Sequence, residues 1–227
     1  MKQLREIWKI FLDILFPAIC LSCGKFLSED EKNEIALICS PCLESIPINK
    51  IVFRTGGQYL LFAASSYENA VLRNLIHEFK YRNLMTLQKP LGKIIIGYLK
   101  RVALPIQDTT IVPIPLHPSR LRSRGFNQAE ILARIVGIYL NLSLETETLK
   151  RIKNTKSQID LKSHDERREN IKNCFRVSPQ SKEKVRDRNI LLVDDVYTSG
   201  ATIDEAAKVL RRAGVKDIKV LVLAKAG

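Results

Sequence analysis

The sequence predicts an α/β domain whose mostly parallel sheet is covered by helices on both faces, preceded by a small module built on four cysteines. Three observations point there. From residue 58 onward, apolar runs of strand length alternate with segments of helical spacing. Asn189–Val196 is a continuous apolar run ending in two acids, and continuity rather than alternation marks a strand buried on both faces. Before residue 50, four cysteines fall as two C-x2-C pairs separated by fifteen residues.

The cysteine module comes first in the chain. Cys20 and Cys23, then Cys39 and Cys42, have the spacing of a four-thiolate zinc site. Two residues between thiolates let one tight turn present both sulfurs, and a second such turn completes the tetrahedron. Gly24 can take the positive φ that turns backbone N–H groups toward sulfur. A disulfide framework would want a secreted chain. The apolar run Phe11–Cys20, however, contains Asp13 and Pro17 and has no small-residue cleavage site. A thioredoxin-like redox centre would need one CxxC, not two. With thiolate in all four positions, Zn2+ would be closed to substrate and therefore structural. The fifth cysteine, Cys174, is expected to be buried and inert.

Ahead of the pairs, Leu4, Ile7, Trp8, Phe11, Leu12 and Leu15 recur at helical spacing. This amphipathic face is expected to pack on the zinc module or the main domain. The alternative is peripheral contact with a membrane surface through residues 4–16. No run of about 18 uncharged apolar residues occurs, so a membrane-spanning helix is not expected. Residues 1–55 are read as helix plus zinc ribbon, and residues 56–227 as the main domain.

Within the main domain, Tyr59–Ser66 reads as a strand and Ala70–Phe79 as a helix. A second amphipathic helix is expected over Leu91–Val102, after Pro90, followed by a β-rich run at Thr110–Pro115. Gln128–Leu140 is helical, with Asn127 as N-cap and Glu130 three residues on. After the strand at 189–196, Ala201–Ala213 is a helix closed by Gly214, and Ile218–Ala224 a last buried strand. In such sheets ligands bind beyond the carboxyl ends of the strands, so chemistry is expected just after Pro115 and just after Asp195.

Charge narrows the ligand. The chain has 227 residues, is 45% hydrophobic, and carries a net charge of +13, which excludes wholesale disorder and favours anionic partners. Residues 1–50 carry 6 basic and 7 acidic side chains, whereas 151–189 carry 12 basic and 6 acidic. The excess therefore belongs to the main domain.

The segment Asp194-Asp195-Val-Tyr197-Thr198-Ser199-Gly200-Ala201-Thr202 delivers two carboxylates and then a hydroxyl-rich turn into a helix. Helix-start N–H groups lack intrahelical partners and point outward with the positive dipole end, and Gly200 permits close approach of a phosphate. G-x-x-x-x-G-K-[ST] is absent, which excludes a nucleoside-triphosphatase loop. Acids beside a phosphate nest suit a sugar phosphate, whose hydroxyls or bound Mg2+ they would meet. After the other strand, Arg120, Arg122 and Arg124 would face one side if the loop is extended, converging on one anion.

This thirteen-residue string from Ile190 resembles the diphosphate-sugar signature of the type I phosphoribosyltransferases. The resemblance implies that fold, with 5-phosphoribosyl 1-diphosphate (PRPP) and Mg2+ as ligands. Asp194 and Asp195 would contact the ribose hydroxyls, and residues 198–202 would hold the 5-phosphate. Adding the cysteine pairs, Phe79-Lys80-Tyr81, Val112–Gln128 and the spaced Arg151, Thr155, Gln158, Leu161, Arg167, Asn170 and Phe175, nearly the whole chain resembles the ComF family of competence-associated proteins. Ser199 stands where that family usually has Thr, and residues 29–35 are unusually acidic.

The resemblance implies Asp194, Asp195 and Arg120 as catalytic, with substrate held by Tyr197, Thr198, Ser199, Gly200, Ala201, Thr202, Lys80, His117, Arg122 and Arg124. It also implies a hood over the diphosphate at about residues 151–170. Of the three histidines, His117 is best placed, though His77, His117 and His164 all read as surface or structural. The rival function is a non-enzymatic adaptor that binds single-stranded DNA beside a competence helicase, with PRPP as a regulatory ligand or not used at all. Both readings imply a cytoplasmic protein.

Overall fold

A computed structural model of the chain describes residues 8, 11, 15, 17–34, 37–55, 59–82, 84–155 and 164–227. Eight strands are present among these residues: β1 Phe53–Thr55, β2 Tyr59–Ser66, β3 Thr109–Pro113, β4 Ser143–Leu144, β5 Leu149–Arg151, β6 Phe175–Val177, β7 Asn189–Tyr197 and β8 Asp217–Lys225. Six of them form one sheet in the order β1-β2-β8-β7-β3-β4, parallel except where β1 meets β2. β5 and β6 form a separate antiparallel ribbon.

Alternation hidden inside the continuous apolar runs divides them between two cores. Leu191, Val193, Leu221 and Leu223 face one layer, which holds Leu72 of helix α3 (Ala70–Tyr81), Leu91 of α4 (Gln88–Leu99) and Leu132 of α6 (Gln128–Leu140). Ile190, Leu192, Val220 and Val222 face the other, packed on Ile203, Ala206 and Leu210 of α9 (Ala201–Arg212), which follows the single-turn α8 (Lys182–Val185) in the chain. The central strands are thus covered on both faces, as a parallel sheet requires.

The cysteine module shares the first of these cores. Cys20, Leu27, Ile38 and Ile46 are buried in the same cluster as Leu72 and Leu91, and Asn74 Nδ2 donates to Leu21 O at 3.0 Å. Two short helices, α1 (Glu29–Glu34) and α2 (Ser40–Glu44), belong to it. Trp8, Phe11 and Leu15 are helical and exposed, with Trp8 and Phe11 edge to face at 5.9 Å. The expected packing of this face is therefore not seen for these three side chains; Leu4, Ile7 and Leu12 lie outside the described residues. No helix among the described residues is long and apolar enough to cross a membrane.

Two expectations need correction. The second helix runs over 88–99 rather than 91–102, with Pro90 inside its first turn, where a missing N–H costs nothing because that donor has no intrahelical acceptor. Residues 118–124 are not extended. They form helix α5 (Pro118–Arg124), capped by His117, opened by Pro118 and ended by Gly125 at φ +79°. Cys174 is fully buried, as expected, and burial pushes its thiol up to about 11.

Candidate phosphate and diphosphate site

The register explains where the site opens. β3 ends at Pro113 opposite Val193, while β7 continues to Tyr197 paired only with β8. The last four residues of β7 therefore border an open crevice on their β3 side. A cavity of about 550 Å³ lies there. Asp194, Asp195, Thr198, Ser199 and Thr202 form one wall, and Lys80, Arg120, Arg124 and Arg151 come from elsewhere in the chain.

Asp195 receives a hydrogen bond from Lys80 Nζ at 2.7 Å, and the backbone N–H of Asp195 donates to Asp194 Oδ1 at 2.8 Å. Burial and then the adjacent Asp195 charge push the Asp194 carboxyl up to about 7, from an ordinary value of 3.8, with Lys80 opposing. Burial works to lower Lys80, yet the charge and hydrogen bond of Asp195 hold its ammonium above the usual lysine range. The acids and the lysine thus form one charge-compensated group at the strand end.

Beyond them the chain turns into α9. Gly200 occupies its N-cap position at φ +80° and has no side chain with which to cap the helix start. Ser199 Oγ is buried and has no hydrogen-bond partner among the described residues. A buried hydroxyl left unmatched beside a helix start whose N-cap is glycine is a donor set suited to an anion.

Helix α5 decides which arginines reach the cavity. Arg120 and Arg124 are four residues apart, one above the other on a helical face, and both line it. Arg122, two residues from each, does not. The expected three-arginine convergence is therefore a two-arginine one, because a helix repeats every 3.6 residues and an extended chain every two. Arg124 is held by Gln128 Oε1 at 2.8 Å and lies over the Tyr81 ring at 5.2 Å.

Of the other residues read as substrate-binding, His117 acts as a cap: its Nδ1 accepts from the Ser119 N–H at 3.3 Å, and it does not line the cavity. Tyr197 packs in the opposite core, with its hydroxyl 3.3 Å from the Tyr59 hydroxyl, which in turn donates to Asp204 Oδ1 at 2.6 Å. Gly200 and Ala201 contribute backbone at the helix start. The cavity is also lined by residues not expected as site residues, among them Tyr67, His77, Tyr81, Asn127, Gln128 and Arg151. The sequence shows Arg151 only in the spaced pattern and the hood segment, and Gln128 only as a helix start and the end of the Val112–Gln128 stretch. The hood expected at about 151–170 falls partly on residues 156–163, outside the described residues; the rest of that range holds Arg151 at the end of β5, residues 152–155 and most of helix α7 (His164–Ile171).

The four-cysteine cluster is a separate centre. The sulfurs of Cys20, Cys23, Cys39 and Cys42 lie within 4.8 Å of one another, and none is in a disulfide. The Cys20 Sγ accepts from the Ser22 and Cys39 N–H groups at 3.4 Å. Gly24 has φ +72°, and its N–H donates to Cys20 O in the first knuckle. In the second, Cys39 is the N-cap of α2, so Leu43 needs no positive φ. This donor set could hold a metal ion.

Comparison with known proteins agrees with this geometry. Residues 95–227 match the phosphoribosyl transferase domain family. Competence protein F of Haemophilus influenzae is 36% identical over 93% of this chain and 86% of its own. DNA utilization protein YhgH of Salmonella typhi is 28% identical over 92% of this chain and 84% of its own. Competence protein ComFC of Streptococcus pneumoniae is 34% identical over 69% of this chain and 64% of its own. With a phosphoribosyl transferase domain across more than half its length and this match along nearly all of it, the chain belongs to the ComF family of competence-associated phosphoribosyltransferase-like proteins.

Proposed function

We propose that the cavity binds PRPP with Mg2+ and transfers its phosphoribosyl group to a nucleophile, releasing pyrophosphate. One observation carries this reading: a carboxylate pair, a hydroxyl-lined helix start with glycine at its N-cap and two arginines line a single cavity at the open edge of the sheet. Each fits a different part of an activated pentose. Asp194 and Asp195 accept hydrogen bonds from the ribose hydroxyls. Ser199 Oγ and the first amides of α9 receive the 5-phosphate. Arg120 and Arg124 face the diphosphate, where negative charge grows as its bond to the sugar breaks. The carboxylates are hard oxygen ligands of the kind Mg2+ takes, and the metal would supply further neutralisation of the leaving group. Lys80, paired with Asp195, keeps two adjacent acids from facing each other unscreened.

We assign the cysteine cluster to a structural Zn2+. With Zn–S bonds of about 2.3 Å, a tetrahedron has sulfur–sulfur edges of about 3.8 Å; Cys23 and Cys39 sulfurs are 3.7 Å apart.

A titration with Mg2+ and PRPP tests the main reading. At a hundredfold excess over the dissociation constant, binding adds about 2.7 kcal/mol, which in a chain of this size raises the melting temperature by roughly 5–10 °C. The rise should vanish in Asp194→Ala plus Asp195→Ala. No rise in the intact protein overturns the sugar-phosphate site.

A second reading draws on the net charge of +13 and on relatives named for competence and DNA utilization. It makes the protein a cytoplasmic adaptor for single-stranded DNA, and its affinity should then fall steeply with salt. Absence of binding at low salt removes it.

A further inference from the structure

Arg151 stands at the end of β5, at the edge of the segment expected as a hood and far in sequence from the Asp194–Thr202 and Val112–Gln128 stretches, and its side chain lines the same cavity. Its guanidinium is held from two sides. Nη2 donates to Thr155 Oγ1 at 2.5 Å, and the group lies over the Phe175 ring at 5.6 Å. Nε is buried with no hydrogen-bond partner among the described residues. Burial, and then the neighbouring Arg120 charge, press Arg151 below the usual arginine range, while Asp194 works the other way. A half-buried cation with a buried, unused donor beside a like charge is completed by an anion in the cavity.

Thr155 explains why the two arginines stay together. It is only 8% exposed, and Arg120 Nη2 donates to its carbonyl at 2.5 Å. One residue therefore accepts from both guanidinium groups, the hydroxyl taking Arg151 and the carbonyl taking Arg120. Like charges would otherwise separate. Fixed in this way, they present a fork pair to the cavity, matched to an anion carrying several oxygens and about two or more charges.

We propose that Arg151 is a further diphosphate-binding residue and that Thr155 is the positioning residue that sets it beside Arg120. The inference rests on the PRPP reading above, and it assigns the far end of that ligand to residues 43 and 39 positions before Asp194.

The test separates the two ends of the ligand by measuring calorimetric affinities for pyrophosphate and for ribose 5-phosphate, each with Mg2+. In Thr155→Val the carbonyl remains and the hydroxyl is lost. A hydrogen bond to a charged group is worth about 1.5–3 kcal/mol, so pyrophosphate should bind about ten- to a hundredfold more weakly. Ribose 5-phosphate should stay within about twofold. Thr155→Ser should restore pyrophosphate affinity, and Arg151→Lys, which keeps the charge but loses the fork, should not. If Thr155→Val weakens both ligands equally, Thr155 is merely structural and the proposal fails. If both ligands bind the intact protein but Arg151→Lys and Thr155→Val leave pyrophosphate unchanged, this proposal fails while the PRPP reading stands. Failure of the intact protein to bind either ligand removes both.

Discussion

Lys80 Nζ lies 2.7 Å from Asp195 Oδ1, although 115 residues separate them in the chain. The pair joins the end of α3 to the end of β7 and closes one side of the cavity. Both side chains are mostly shielded, at 21% and 13% exposure. Removing one partner of such a pair leaves an uncompensated charge, at a cost approaching the roughly 3–5 kcal/mol of fully buried pairs. Lys80→Met should therefore lower the melting temperature of the ligand-free protein. Unfolding at equal ionic strength checks this, and an unchanged midpoint would show the pair to be solvated.

Stability should depend on pH through Asp194. Its carboxyl is raised from 3.8 to about 7 in the folded protein, by burial and then by Asp195. Between those values the folded state holds a proton that the unfolded state has lost, so ∂ΔG/∂pH is negative. The contribution is fully present below about pH 4 and is lost as pH rises through about 7. Asp194→Asn should flatten the melting-temperature profile across that window. A slope equal to that of the unaltered protein would place the titrating group elsewhere.

Gly200→Ala should impair the phosphate turn. At φ +80° an L side chain costs about 1–2 kcal/mol, and the added Cβ would stand 2.4 Å from the Tyr197 hydroxyl oxygen. Thermal denaturation should show the loss, and PRPP should no longer raise the midpoint. Tyr197→Phe in the same chain removes the nearest atom but leaves the strained φ, so recovery should be partial. Full recovery would show that φ is irrelevant.

Metal analysis should return about one zinc per chain, lost in Cys39→Ser plus Cys42→Ser. Because Cys20, Leu27 and Ile38 share a core with Leu72 and Leu91, chelation should also expose apolar surface beyond the module. Binding of a hydrophobic dye before and after chelation reads this directly. An unchanged signal would show the module to be independent of the sheet.

Much of this protein is written in short stretches of sequence. The run 189–195 declares a strand covered on both faces, the C-x2-C spacing a four-sulfur cluster, and Asn127 the start of a helix that runs as expected to Leu140. Even α5 left its marks in His117-Pro118 and Gly125, a cap, a first-turn proline and a terminating glycine, although the alternating arginines between them read as extended. Such features depend on neighbours within a few residues, whose backbone preferences and side-chain period are local.

Tertiary structure alone decided which distant groups share the cavity. Arg151 was admitted, Tyr197 was turned into the opposite core, and Lys80 was brought to Asp195. Those outcomes follow from strand order and from which helix covers which face. Periodicity reports that a face is apolar without naming the segment that will bury it, and only the packed sheet supplies that partner.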